Sequence, residues 1–268
     1  MNSPYHVLRD QSWLVTGASS GIGAEITLLL APQATCLVLS GRNVDALNIV
    51  AMKARQLGAG RVETIVHDLG DLGAGHALAE KTKALVPNLN GLINCAGATL
   101  VGSFETFTSA EVTKELQCNA RSIGELIHKL APLIAENGPG WVLNVASVVG
   151  FFGLPTQATY SASKSWLVSL GCALHHELSS NDIVVTTVCP GATHTQFMKS
   201  ANIDMNRKWV KSASWHEPKE VAIFALRSLI KRKMLVTPGF RNRFMVFLNR
   251  VLSRSMIARI VRREMEVA

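Results

Sequence analysis

Short apolar runs recur along the chain, at residues 12–16, 36–40, 61–66, 91–94, 141–146, 183–189 and 234–236. Each is bounded by Gly, Pro, Asn or charged positions, and several are rich in β-branched residues. Runs of this length predict buried strands. Longer stretches lie between them, with apolar positions returning every three or four residues: 24–31, 43–57, 71–86, 108–136, 157–178 and 217–231. These predict helices, two of them stopped by Gly58 and Pro87. Regular alternation of strand and helix predicts an α/β architecture, a doubly wound parallel sheet of about seven strands flanked by helices. No internal repeat, low-complexity segment or linker breaks the pattern before about residue 192. One domain over residues 1–239 is the simpler expectation, with an extension over 240–268.

Composition agrees with a full-sized core: 48% of the 268 residues are hydrophobic. No apolar run is long enough for a membrane span. The first ten residues carry charge and no apolar core, so no secretory leader is expected. The cysteines Cys36, Cys95, Cys118, Cys172 and Cys189 are odd in number, scattered and mostly within apolar stretches. Buried reduced thiols in a cytoplasmic protein account for them best. No Cys/His group has metal-ligand spacing, since His175 and His176 are adjacent, so no metal is expected.

The net charge of +8 changes the picture because of where it sits. From Arg207 onward there are 15 Lys+Arg against 4 Asp+Glu, and the rest of the chain carries 12 against 15. In the extension, Phe240, Phe244, Phe247, Leu248, Val251, Leu252, Ile257 and Ile260 recur at helix-like spacing, interspersed with Arg241, Arg243, Arg250, Arg254, Arg259, Arg262 and Arg263. Such a basic amphipathic helix can pack on its own or a partner subunit. It can also hold a cytoplasmic protein peripherally at an anionic membrane surface. No nucleic-acid partner is expected, because arginines without a recognition fold are weak grounds.

Candidate chemistry collects at the strand ends. After the first strand comes Gly17-Ala18-Ser19-Ser20-Gly21-Ile22-Gly23, followed by a helix. A strand, a glycine-rich turn and a helix N-terminus together form a phosphate cradle, with free N–H groups and a favourable dipole. The second strand ends in Gly41-Arg42-Asn43, without the acidic residue that would bind the adenosine ribose hydroxyls of NAD. Arg42 is available for a 2′-phosphate instead, so NADP is preferred and NAD remains open. His67-Asp68-Leu69, Cys95-Ala96-Gly97 and Pro190-Gly191-Ala192-Thr193-His194-Thr195 close later strands on the side where ligands bind such sheets. Tyr160 and Lys164 stand four residues apart, one helical turn. A neighbouring ammonium would lower the phenol's pKa and make it a usable acid–base group. An ordinary helix-surface pair has the same spacing.

These motifs together resemble the short-chain dehydrogenase/reductase family, in its compact branch. Thr16 to Gly23 resembles its cofactor loop. Asn94-Cys95-Ala96-Gly97 resembles its Asn-Asn-Ala-Gly, with Cys95 as a departure. Asn119, Ser147, Tyr160 and Lys164 fall at its catalytic tetrad, and Pro190-Gly191 with Thr195 at its nicotinamide-side loop. The resemblance spans about residues 8–238 and implies a Rossmann-type fold and hydride transfer between NADP(H) and a carbonyl or alcohol. It implies Tyr160 as general acid or base, Ser147 holding the substrate oxygen, Lys164 on the nicotinamide ribose and Asn119 anchoring a proton-relay water. Gly17, Ser19 and Ile22 would line the phosphates, Asp68 would meet the adenine, Asn94 the adenosine-side ribose and Thr195 the carboxamide. Ser20, Gly21, Gly23, Gly41, Asn43, Leu69, Ala96, Gly97 and Thr193 complete the expected cofactor shell. Homodimers or homotetramers built partly on the helices of Asn119 and Tyr160 are also implied.

A substrate lid is expected at about 192–216, with Phe197, Met198, Met205, Trp209 and Trp215 as apolar cover or ordinary packing. With Phe151, Phe152 and Leu154 it points to an apolar ketone, steroid-like or acyl substrate. Two rivals stay open: a cofactor-binding sensor or scaffold without turnover, and a tail-directed peripheral membrane protein.

Overall fold

A computed structural model describes residues 5–197, 215–253, 255–257 and 259–261. Seven strands form one parallel sheet: β1 (Gln11–Thr16), β2 (Ala34–Gly41), β3 (Arg61–Val66), β4 (Gly91–Asn94), β5 (Gly140–Val145), β6 (Ile183–Val188) and β7 (Leu235–Val236). Their order is β3-β2-β1-β4-β5-β6-β7. The chain winds outward from β1 to β3, then returns to place β4 on the other side of β1. The ends of β1 and β4 therefore diverge at a topological switch point, where a crevice opens.

Every residue of β1, β5 and β6 is buried, which is why these strands read as continuous apolar runs. Alternate side chains feed two cores. Trp13, Val15, Leu37 and Leu39 pack beneath helices α1 (Gly21–Leu30) and α2 (Val44–Gln56). Leu14, Val38, Val142 and Val185 pack beneath α3 (Ala74–Leu85), α5 (Ser122–Glu136) and α6 (Ala158–Glu177).

The helical pattern over 108–136 is divided in three. A capping box, with Thr108 Oγ1 accepting from Glu111 N and Thr108 N donating to Glu111 Oε2, starts α4 (Ser109–Leu116). A single π-helical turn, Gln117–Arg121, joins it to α5 and contains Asn119. One extra residue per turn is locally inserted there, which apolar periodicity does not reveal. Beyond β6, Pro218 opens α7 (Pro218–Ile230), and α8 (Phe240–Val251) follows β7. No helix among the described residues is long and apolar enough to cross a membrane.

Candidate active site

A cleft of about 1340 Å³ runs along the carboxyl ends of the strands. One wall is the glycine loop between β1 and α1. Gly17 adopts φ +65°, and a Cβ there would stand 2.8 Å from Ala96 N. Gly23 approaches even more closely: its Cβ would stand 2.4 Å from Gly17 O. Only glycine allows this folded-back turn against the start of α1. Thr16 joins it to the turn after β4: its Oγ1 donates to Ile93 O and accepts from Cys95 N and Ala96 N, at 3.1 and 3.2 Å. The first turn of α1 has no side-chain cap and no acidic residue, so its positive end opens on the cleft beside Ser19, Ser20, Gly21 and Ile22.

Gly41, Arg42 and Asn43 form one end of the cleft. Asn43 Oδ1 is engaged in capping α2, accepting from Ala46 N at 2.9 Å. Arg42 is exposed and takes part in no ion pair among the described residues. Asp68 and Leu69 lie opposite. Burial alone would raise the Asp68 pKa. The Gly70 N–H, the Lys114 ammonium at 2.9 Å and nearby Arg42 outweigh it and hold the carboxyl below its ordinary value.

Ser147, Tyr160 and Lys164 converge at the other end, with Ala96, Gly97, Pro190, Gly191, Thr193 and Thr195 around them. Ser147 follows β5. Its Oγ contacts Pro190 O at 3.5 Å and accepts from Val149 N at 3.3 Å, so the hydroxyl also caps the short turn after it. Lys164 is buried in the cleft lining and donates from Nζ to Val145 O at 3.0 Å. Its ammonium is 5.7 Å from the centre of the Tyr160 ring.

The spacing predicts that Lys164 lowers the Tyr160 pKa. The net effect of the described surroundings runs upward: burial pushes the phenol up, the Ser147 hydrogen bond opposes it only in part, and the charge of Glu115 adds to the rise. Burial pushes Lys164 down. Burial also raises Cys95 to about 12 and Cys118 to about 11, so both remain thiols.

Three expected site residues do not line the cleft. Gly23 packs beneath the loop. Asn94 is buried under it, donating from Nδ2 to Asn144 Oδ1 at 2.9 Å. Asn119 is fully buried in the π turn, where its amide accepts from Ala98 N and donates to Ala98 O and Ser163 Oγ at 2.8, 2.7 and 3.1 Å. It ties the turn after β4 to α6. Of the expected apolar pocket, Leu154 and Phe197 line the cleft, and the Phe197 ring lies 5.7 Å from that of Tyr160. Phe151 packs instead against the core beneath α5 and α6. Trp215 stacks on His194. Met198, Met205 and Trp209 lie outside the described residues, as do Arg254, Arg262 and Arg263.

Sequence reasoning missed Glu115. It is 2% exposed, four residues before Asn119. Its carboxylate accepts from Thr159 Oγ1, next to Tyr160, and from Leu100 N at 3.3 Å. Burial raises its pKa. A lone glutamate on a helical stripe carries no signal that separates it from a solvated one. Gln157, also missed, is buried at the cleft edge.

The profile of the short chain dehydrogenase family matches residues 11–206. Nodulation protein G of Rhizobium sp. is 32% identical over 197 residues, 74% of this chain and 77% of that protein. The ketoacyl reductase HetN of Nostoc sp. is 29% identical over 222 residues, 83% of this chain and 76% of that protein. A short-chain dehydrogenase from Sphingobium yanoikuyae, solved in complex with NADPH, superposes with a TM-score of 0.79 at 28% identity, covering 92% of this chain and 95% of its own.

Proposed function

The chain belongs to the short-chain dehydrogenase family, whose members are oxidoreductases, and from that premise we propose that it reduces an apolar carbonyl compound with NADPH, Tyr160 being the general acid. The observation that carries this reading is the convergence of Ser147, Tyr160 and Lys164 at one end of a cleft whose other end holds the glycine loop and Arg42. The cleft fits a dinucleotide: Gly17 and Gly23 fold the loop tightly against Ala96 and itself, and the uncapped start of α1 is left facing a pyrophosphate position. NADPH, when bound, supplies the hydride.

The residues divide the remaining work. The α1 N-terminus and the backbone of Gly17 to Ile22 receive phosphates. Arg42 pairs with the 2′-phosphate, and its freedom from ion pairing supports that role. Asp68 orients the base. Ser147 hydrogen-bonds the substrate oxygen. The Tyr160 hydroxyl donates its proton to that oxygen as negative charge develops. Lys164 fixes the ribose and places a positive charge beside the phenol. Asn119 holds the turn after β4 against α6, and Thr195 faces the carboxamide. Leu154, Val149 and Phe197 form the apolar wall that supports an apolar substrate, and the likeness to the ketoacyl reductase HetN favours an acyl carbonyl compound within that class.

The catalytic unit is read as residues 1–239, because the sheet ends at Val236 and a new helix begins at Phe240. Self-association through α5 and α6 belongs to the same reading, supported by Trp166, 39% exposed on α6.

Replacing Tyr160 with Phe tests the proposal. NADPH affinity should be retained, while ketone-dependent NADPH oxidation falls by about 100- to 10,000-fold. Undiminished turnover in the variant would remove Tyr160 from the chemistry.

A further inference from the structure

Helix α8 buries only Asn242 and Val246 and leaves most of its apolar surface outside. Asn242 is held inward: Nδ2 donates to Pro238 O at 2.9 Å, lies 3.1 Å from His216 Nε2, and the side chain packs on Gly191. Phe240, Phe244, Phe247 and Val251, at positions i, i+4, i+7 and i+11, form one outward stripe and are 76, 53, 57 and 65% exposed. At about 100° per residue, Arg241 flanks this stripe on one side and Arg243 and Arg250 on the other. None of the three forms an ion pair among the described residues, and residues 240–261 contain no Asp or Glu. A crevice of about 300 Å³ opens beside the stripe, between Phe224, Val236 and Phe247, with Arg243 and Arg250 at its rim.

We propose that α8 is an interfacial helix that docks the enzyme on the surface of an acidic phospholipid bilayer, beyond anything the hydride-transfer reading requires. The aromatic stripe would enter the boundary between headgroups and acyl chains, and the flanking guanidiniums would pair with lipid phosphates. Charge selects this occupant. A second copy seated face to face on the same patch would set arginine against arginine with no carboxylate among residues 240–261 to separate them, because a two-fold contact brings like surfaces together. An acidic bilayer complements both features. The exposed aromatic residues also exceed the single scattered apolar side chains of an ordinary surface.

Flotation of the full-length protein on vesicles tests this directly. Wild type should float with vesicles of phosphatidylcholine mixed with phosphatidylglycerol, stay behind with phosphatidylcholine alone, and be released by high salt. The triple variant Phe240→Ser, Phe244→Ser, Phe247→Ser should lose flotation. The double variant Arg243→Gln, Arg250→Gln should weaken it by about fivefold per arginine. Circular dichroism and NADPH binding should stay at wild-type levels in both, because the replaced side chains are exposed and outside the cleft. If the triple variant fails to fold, the arginine variant alone decides. No flotation of wild type with acidic vesicles, or wild-type flotation in a folded variant, overturns the proposal. So does loss of a dimer in the triple variant without vesicle binding by wild type, which would assign the stripe to a second copy. None of these readouts depends on turnover, so the failure of this proposal and the failure of the catalytic one remain separate.

Discussion

Its surroundings make Tyr160 a weaker acid than a free tyrosine. Burial and the Glu115 charge keep the proton on the phenol, and the Ser147 hydroxyl moderates the effect. Glu115 is itself stressed: burial raises its pKa, while Thr159, Leu100 N and Lys164 oppose the rise. The sign follows from linkage. A carboxyl whose folded pKa exceeds its unfolded value contributes stability below the unfolded pKa and loses it as pH rises through the folded one. Glu115→Gln should therefore gain stability relative to wild type as pH rises through that range, with little difference in acid. Denaturation midpoints measured across pH check this, and parallel curves would show that the carboxyl is not strained. The Thr159 contact also places Glu115 against α6, one residue from Tyr160. None of this was legible in the sequence, because burial of one glutamate among helical polar positions leaves no local mark. The setting of Asn94 was hidden for a related reason: a strand-end asparagine reads as a ligand contact, and only the fold shows its amide donating to Asn144 inside the sheet.

At the scale of elements, the glycine loop and the π turn align the two ends of the site. The loop was legible because its glycines are a chemical requirement: Gly23 nearly touches the Gly17 carbonyl. Gly23→Ala should displace the loop, costing about 1–3 kcal/mol of stability and at least tenfold in NADPH affinity. Thermal unfolding and cofactor titration measure the two effects, and unchanged affinity would mean that the loop does not carry the phosphates. The strands and most helices were also legible, since fully buried parallel strands leave unbroken apolar runs and helices leave a clear period. The π turn was not. It preserves the apolar stripe while rotating Asn119 inward, and only the backbone hydrogen bonds reveal it.

At the scale of the whole molecule, strand order turns scattered motifs into one site. The switch between β1 and β4 brings together residues from Gly17 to Phe197, and the same topology puts Arg42 and Tyr160 at opposite ends of one cleft. The fold was legible because alternation of strands and helices admits few windings. The orientation of the basic tail was not. Its periodicity gives an amphipathic helix but leaves open which face meets the protein, and Asn242, not the phenylalanines, turned out to be buried. Titration of the purified protein with NADPH and, separately, NADH, followed by cofactor fluorescence, shows whether the cleft is built for NADPH. Arg42 should make NADPH bind at least tenfold more tightly than NADH, the scale of one charge-assisted contact to the 2′-phosphate. Equal binding of the two, a preference for NADH, or binding of neither would contradict the account.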